Sequence, residues 1–195
     1  ICKPNDGSLI DLIKKDFKVF ELPNDPLKSL QINIDKEYDS NIYKKWLGWN
    51  QIDDVNHTIS CLKKIDNLSI DYVIIDHYSL DIKWEKYFLD ELSISFNTDK
   101  DNLPKILVID DLANRKHFCD LLLDQNYFSK KSLSRYNNLV PRKANLLLGP
   151  HYALLGKEYS ILSSLEITRK EIKRILIYCG AVENGLNNLI FEVIK

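Results

Sequence analysis

The sequence predicts an α/β protein built on a parallel sheet. The first observation is a set of short apolar runs that stop at a carboxylate or a turn. Tyr72-Val73-Ile74-Ile75 ends at Asp76, Ile106-Leu107-Val108-Ile109 at Asp110-Asp111, and Leu121-Leu122-Leu123 at Asp124. Leu146-Leu147-Leu148 ends at Gly149-Pro150, and Ile175-Leu176-Ile177-Tyr178 at Cys179-Gly180. Continuous apolar runs of this length, several with β-branched residues, suit strands buried on both faces. The second observation is that segments of helical periodicity lie between them. Strand alternating with helix argues for a sheet with right-handed crossovers.

Taken in order, Leu9, Ile10, Leu12 and Ile13 predict a short helix ending before Phe17. Segment 24–51 is polar, carries Pro26, Trp46 and Trp49, and reads as a loop followed by a surface helix. Val55, Ile59, Leu62 and Ile65 have the i, i+4, i+7 spacing of one helix face, with Asp53 or Asp54 as its cap. Trp84, Phe88 and Leu92 repeat the pattern, with Asp81 as the cap. Segment 158–174 is charged and reads as a linker into a new strand. The expected organisation is a Rossmann-like domain over 1–160, then, over 161–195, the linker and the start of a second, nucleotide-binding domain.

Composition narrows the function. The chain has 195 residues, with 27 Lys+Arg against 28 Asp+Glu and a formal net charge of -1. A nucleic-acid binder working through bulk charge needs a strong basic excess. Apolar runs stay near five residues, whereas a membrane span needs roughly 20. Cys2, Cys61, Cys119 and Cys179 are widely spaced, without a C-x-x-C pair, and read as reduced thiols packed as small apolar groups. A cytoplasmic, reducing compartment is the expectation.

Ligands of open parallel sheets bind outside the carboxyl ends of the strands. The polar groups there are Asp76, His77, Tyr78, Asp110, Asp111, Asp124, Gln125, Asn126 and Gly180 onward. A single Asp in such a place is as readily a helix cap or turn residue. Asp76-His77-Tyr78 is more pointed, because three hydrogen-bonding side chains follow a buried strand directly. A phosphorelay receiver also ends one strand on an acidic pair, but Asp124 follows Asp110-Asp111 too soon for a strand, helix and strand return. The loop from Cys179 to Gly185 is rich in small residues between an apolar strand and an apolar run, and its backbone N–H groups suit a phosphate. His57 reads as structural, whereas His117 and His151 fall in turn regions.

The stretch Ile106–Asn126, ILVIDDLANRKHFCDLLLDQN, resembles the hallmark of the UDP-2,4-diacetamido-2,4,6-trideoxy-β-L-altropyranose hydrolases of pseudaminic acid synthesis, a group related to the spore-coat polysaccharide protein G family. Further similarities follow in order: Gly7-Ser8-Leu9-Ile10-Asp11, Asp71-Tyr72 and Asp76-His77-Tyr78 against a strand that opens D-Y and ends D-x-Y, Leu139-Val140-Pro141, and Leu148-Gly149-Pro150 with Tyr152-Ala153-Leu154-Leu155.

The resemblance implies the N-terminal domain of a two-domain, glycosyltransferase-B-like architecture, here truncated at both ends. It implies water attack at the anomeric carbon of the UDP-sugar with C–O cleavage, releasing UDP and the free sugar. It implies no metal or other cofactor; the expected partner is the UDP-sugar, with no nucleic acid and no membrane, and the expected state is a monomer. The family's general base is a His in a Gly-x-Gly-His turn, which this sequence lacks, so none of its four His inherits that role. The expected substrate-binding residues are Asp76, Tyr78, Gly180 and Asn188. The family's Gly-Gly-Ser/Thr-Asp loop corresponds here to Gly180-Ala181-Val182-Glu183, with Asn188-Leu189 displaced, and Gly156 stands where an Arg is usual. Expressed alone, the chain is expected not to release UDP. The alternatives are a non-catalytic nucleotide-sugar-binding relative and a sugar-nucleotide glycosyltransferase.

Overall fold

The computed structural model describes residues 1–3, 9–23, 43, 47, 49–128, 134–163 and 171. The chain divides into two compact units, Ile1–Leu154 and Leu155–Lys195. In the first, a short helix α1 (Ile10–Ile13) is followed by α2 (Gln51–Leu62), β1 (Tyr72–Ile75), α3 (Ile82–Phe96), β2 (Lys105–Ile109), β3 (Leu121–Asp124) and β4 (Asn145–Leu148). In the second, the described structure is helix α4 (Lys157–Ser163), so the start of the predicted linker is helical. The predicted strand at 175–178, the Gly180 loop and Asn188 lie outside the described residues.

The sheet runs β1-β2-β3-β4, and every pair is parallel. All four strands therefore end on one side. Tyr72 faces Lys105, Leu107 faces Leu121, and Leu121 faces Asn145. The α/β class and the four described strands agree with the apolar runs.

One face of the sheet carries the core. Val55, Ile59 and Leu62 of α2 and Trp84, Phe88 and Leu92 of α3 pack with Ile75, Ile106, Val108 and Leu122. Trp84 and Phe88 stack nearly parallel, with ring centroids 4.9 Å apart. Burial on both faces, expected from the continuous apolar runs, does not hold for β1, where Tyr72 and Ile74 are exposed. The two long helices cover the face of Val73 and Ile75, and residues pointing the other way along a strand gain nothing from them.

Two local expectations are corrected. The cap of α2 is Asn50, not Asp53 or Asp54: its Oδ1 accepts from the Asp53 N–H at 2.9 Å, and its Nδ2 donates to Asp53 Oδ2 at 2.5 Å. Asp54 is instead buried and accepts the Trp84 indole N–H at 2.8 Å, tying α2 to α3. The cap of α3 is Asp81 as predicted, accepting from the Lys83 N–H at 2.8 Å, and Asn97 ends that helix in the left-handed conformation.

The second correction concerns the chain between β2 and β3. Residues 110–120 return it to a parallel strand without any helix. A helix is dispensable here because α3 already covers that face. The loop lies against α3, where Ile82 N–H donates to Lys116 O at 2.8 Å and Phe118 N–H donates to Glu85 Oε2.

Phe88 is 2% exposed at the centre of this core. Phe88→Ala removes its contacts with Trp84 and the sheet and leaves a cavity, so urea unfolding is expected to show a loss of about 3–5 kcal/mol.

Candidate functional site

The carboxyl ends of β1, β2 and β3 are drawn together by side chains from two loops. Asp110 and Asp124, the strand-end acids of β2 and β3, are 2% and 1% exposed. A carboxylate so buried needs donors. Arg115 Nη1 meets Asp110 Oδ1 at 2.6 Å, and the Ala113 N–H donates to Asp110 Oδ2 at 2.9 Å. Ala113 adopts a left-handed φ of 48° to do so, a conformation unfavourable for a residue with a Cβ.

Tyr136, fully buried, lies between the two acids. Its hydroxyl is 2.9 Å from Asp124 Oδ2, 3.2 Å from Asp110 Oδ2 and 2.8 Å from the Asp110 carbonyl oxygen. Burial first, then the charge of Asp110 and the hydrogen bond to Asp124, push this phenol far above its ordinary range, so it remains a proton donor. Arg135 completes the arrangement. Its Nη1 is 3.2 Å from Asp124 Oδ2, a charge contact rather than an aligned hydrogen bond, and its Nη2 donates to Asp111 O at 2.7 Å. Its guanidinium covers the Phe128 ring at 4.0 Å.

Arg115 also reaches the end of β1. Its Nε donates to Leu80 O at 2.7 Å and its Nη2 to His77 O at 3.3 Å. One guanidinium thus holds the loop after β1 to the end of β2. Burial alone would raise the Asp110 carboxyl, but Arg115, the Ala113 N–H and His117 together hold it below the ordinary carboxylate range.

Around this buried centre stand the more accessible groups. Tyr78 is half-buried, with its ring 4.8 Å from that of Tyr43. Desolvation, then hydrogen bonding to the Asp111 carboxylate, pushes its phenol up to about 12. The Asp76 carboxyl is also raised, first by desolvation and then by the charge of Asp111. Asp76 is exposed, so water screens the effect of Asp111. Asn126 bridges Asp111 Oδ2 at 3.4 Å and Asp124 Oδ1 at 3.3 Å. Of the four residues singled out for substrate, Asp76 and Tyr78 both lie beside Asp111, and Gly180 and Asn188 fall outside the described residues.

No local pattern singles out Arg115, Arg135, Tyr136 or Glu85. Tyr136 sits in a polar loop, and only its burial reveals its part. Glu85 is on α3 at a position that pattern alone assigns to solvent, yet it is 0% exposed. It contacts His117 Nδ1 at 2.6 Å and takes the Phe118 N–H. His117 is therefore a core residue, as is Cys119, whose thiol burial raises to about 12. Among the described residues no group of three or more His, Cys, Asp and Glu is placed to hold a metal ion, and no helix is long and apolar enough to cross a membrane.

Two outcomes follow from the buried centre. Tyr136→Phe keeps the ring and leaves two buried carboxylates without their shared donor, so urea denaturation is expected to show a loss of about 1–3 kcal/mol. The depressed Asp110 contributes stability that is complete above the unfolded-state value of about 3.9 and is lost as pH falls through its lower folded value. Asp110→Asn is expected to flatten that acid limb in a plot of unfolding free energy against pH.

No protein-family model matches this chain, and no curated protein matches it.

Proposed function

We propose that the intact protein hydrolyses a UDP-linked 2,4-diacetamido-2,4,6-trideoxy sugar to UDP and the free sugar, as a cytoplasmic step in the synthesis of a nonulosonic acid such as pseudaminic acid. The observation that carries this reading is the stretch 106–126. Its resemblance to the hydrolase hallmark covers a continuous strand, loop and strand, and its Asp110, Asp111, Asp124 and Asn126 gather at the strand ends. In a parallel sheet that is where a small-molecule ligand is expected.

On this reading the described unit is the sugar-side half of a two-domain, glycosyltransferase-B-like enzyme acting as a monomer without a metal. A glycosyl diphosphate already has a good leaving group. The protein needs only to deliver a water to the anomeric carbon and to stabilise the departing pyrophosphate. Asp76 and Tyr78 bind substrate, and Gly180 and Asn188 serve the UDP side. The base that activates water is not assigned to His57, His77, His117 or His151. His117 is committed to Glu85 in the core, and the His77 Nδ1 lone pair already accepts from the Ser79 backbone N–H.

The test is UDP release from the UDP-sugar by the full-length gene product, followed by chromatography; absence of turnover above background sinks the reading. Within it, Tyr78→Phe separates binding from scaffold. A hydroxyl that contacts substrate in the transition state is worth roughly 1–3 kcal/mol, so kcat/KM is expected to fall by about one to two orders of magnitude. The melting temperature is expected to change little because the ring is retained. Unchanged kinetics with a lowered melting temperature would assign Tyr78 to the scaffold.

A further inference from the structure

The return from β2 to β3 over residues 110–120 has no helix or strand of its own, so side chains must set its conformation. Glu85 supplies the central one. It lies on α3 between Trp84 and Phe88 and is fully buried. A carboxylate there loses solvation that a leucine would not. Both of its oxygens are engaged: Oε1 meets His117 Nδ1 at 2.6 Å, and Oε2 takes the Phe118 N–H. On the same stretch, Ile82 N–H donates to Lys116 O at 2.8 Å, and His117 N–H donates to Leu139 O at 2.7 Å. Next along the chain is Arg115, whose guanidinium joins Asp110 at the end of β2 to the carbonyls of His77 and Leu80 after β1.

We propose that Glu85 is a positioning residue for the strand-end site: by holding His117 and Phe118 against α3 it sets Arg115, and through Arg115 the segment after β1 that carries Asp76 and Tyr78. A packing role alone does not require an acid at this position, since leucine would fill the same core. What an acid adds is a pair of acceptors for two donors, one of them a backbone N–H that cannot change its role. Buried polar groups of this kind fix one arrangement rather than add stability. The pairing also fixes a proton. Both carboxylate oxygens accept, so His117 carries a proton on Nδ1. Its Nε2 is buried without a hydrogen-bond partner among the described residues, so the ring can move that proton to Nε2 without breaking a bond there. Glu85→Gln therefore keeps both contacts: the Phe118 N–H takes the amide oxygen, the amide NH2 faces Nδ1, and His117 becomes the Nε2–H tautomer. Glu85→Leu removes both acceptors.

Long-range ¹H–¹⁵N spectra of the chain are expected to show His117 protonated on Nδ1, and on Nε2 alone in Glu85→Gln. The Arg115 Nε–H resonance, identified by its loss in Arg115→Lys, is expected to persist in Glu85→Gln and to move to the position of a free arginine in Glu85→Leu. The kinetic arm rests on the proposed function. There, kcat/KM for UDP release by the full-length protein is expected to fall by about one to two orders of magnitude in Glu85→Leu and to return close to the wild-type value in Glu85→Gln. A bare Nδ1 in the wild type, an unchanged tautomer in Glu85→Gln, or an unmoved Arg115 signal in folded Glu85→Leu would overturn the inference. If Glu85→Leu does not fold, Glu85→Gln decides alone, and loss of its Arg115 signal in a folded chain counts against the role. Absence of UDP release from the wild type sinks the hydrolase reading and leaves the spectra, which need no turnover, to decide the role of Glu85.

Discussion

The strand ends of this protein depend on one phenol placed between two buried carboxylates. Asp110 and Asp124 terminate neighbouring parallel strands, where their like charges would repel at close range in a medium poorer than water in screening. The Tyr136 hydroxyl and two guanidiniums hold them together. Removing Asp110 alone leaves the nearly buried Arg115 guanidinium without its counter-charge, which is the costly way to break such a pair. Backbone contacts extend the arrangement: Arg115 holds the carbonyls of His77 and Leu80, and Arg135 holds that of Asp111. The positions of Asp76, Tyr78 and Asn126 therefore depend on residues that do not themselves line the accessible surface.

The parts legible in the sequence were those governed by local pattern. Four apolar runs became four strands, and the spacings at Val55–Ile59–Leu62 and Trp84–Phe88–Leu92 became the two faces that bury the sheet. Asp81 capped its helix because a cap needs only one side chain and the next turn. Asp54 was misread for the opposite reason. Its partner is Trp84, thirty positions away, and no periodicity reports a hydrogen bond between two helices. The same holds for Tyr136, Arg135 and Glu85, whose environments are set by tertiary packing rather than by their neighbours in the chain.

Within the candidate site, the Asp residues after each strand were visible, but their division of labour was not. Asp110 and Asp124 are structural anchors that face inward, whereas Asp76 and Asp111 surround the more open part of the site. Adjacent residues at a strand end point in opposite directions. A sequence showing Asp110-Asp111 cannot say which one is buried until the covered face is known.

The helix-free return from β2 to β3 has a consequence for how the sheet assembles. Leu107 pairs with Leu121 across a much shorter stretch of chain than separates Tyr72 from Lys105 or Leu121 from Asn145. Of the three pairings it carries the smallest loop-closure entropy, so it is the cheapest first contact from which the slower non-local strands can be added. Asp110 and Arg115 lie on this segment and Asp124 at the end of β3, whereas Tyr136 and Arg135 come from the loop after β3. The segment that closes this cheapest pairing thus also supplies Asp110 and Arg115, part of what orders the strand ends.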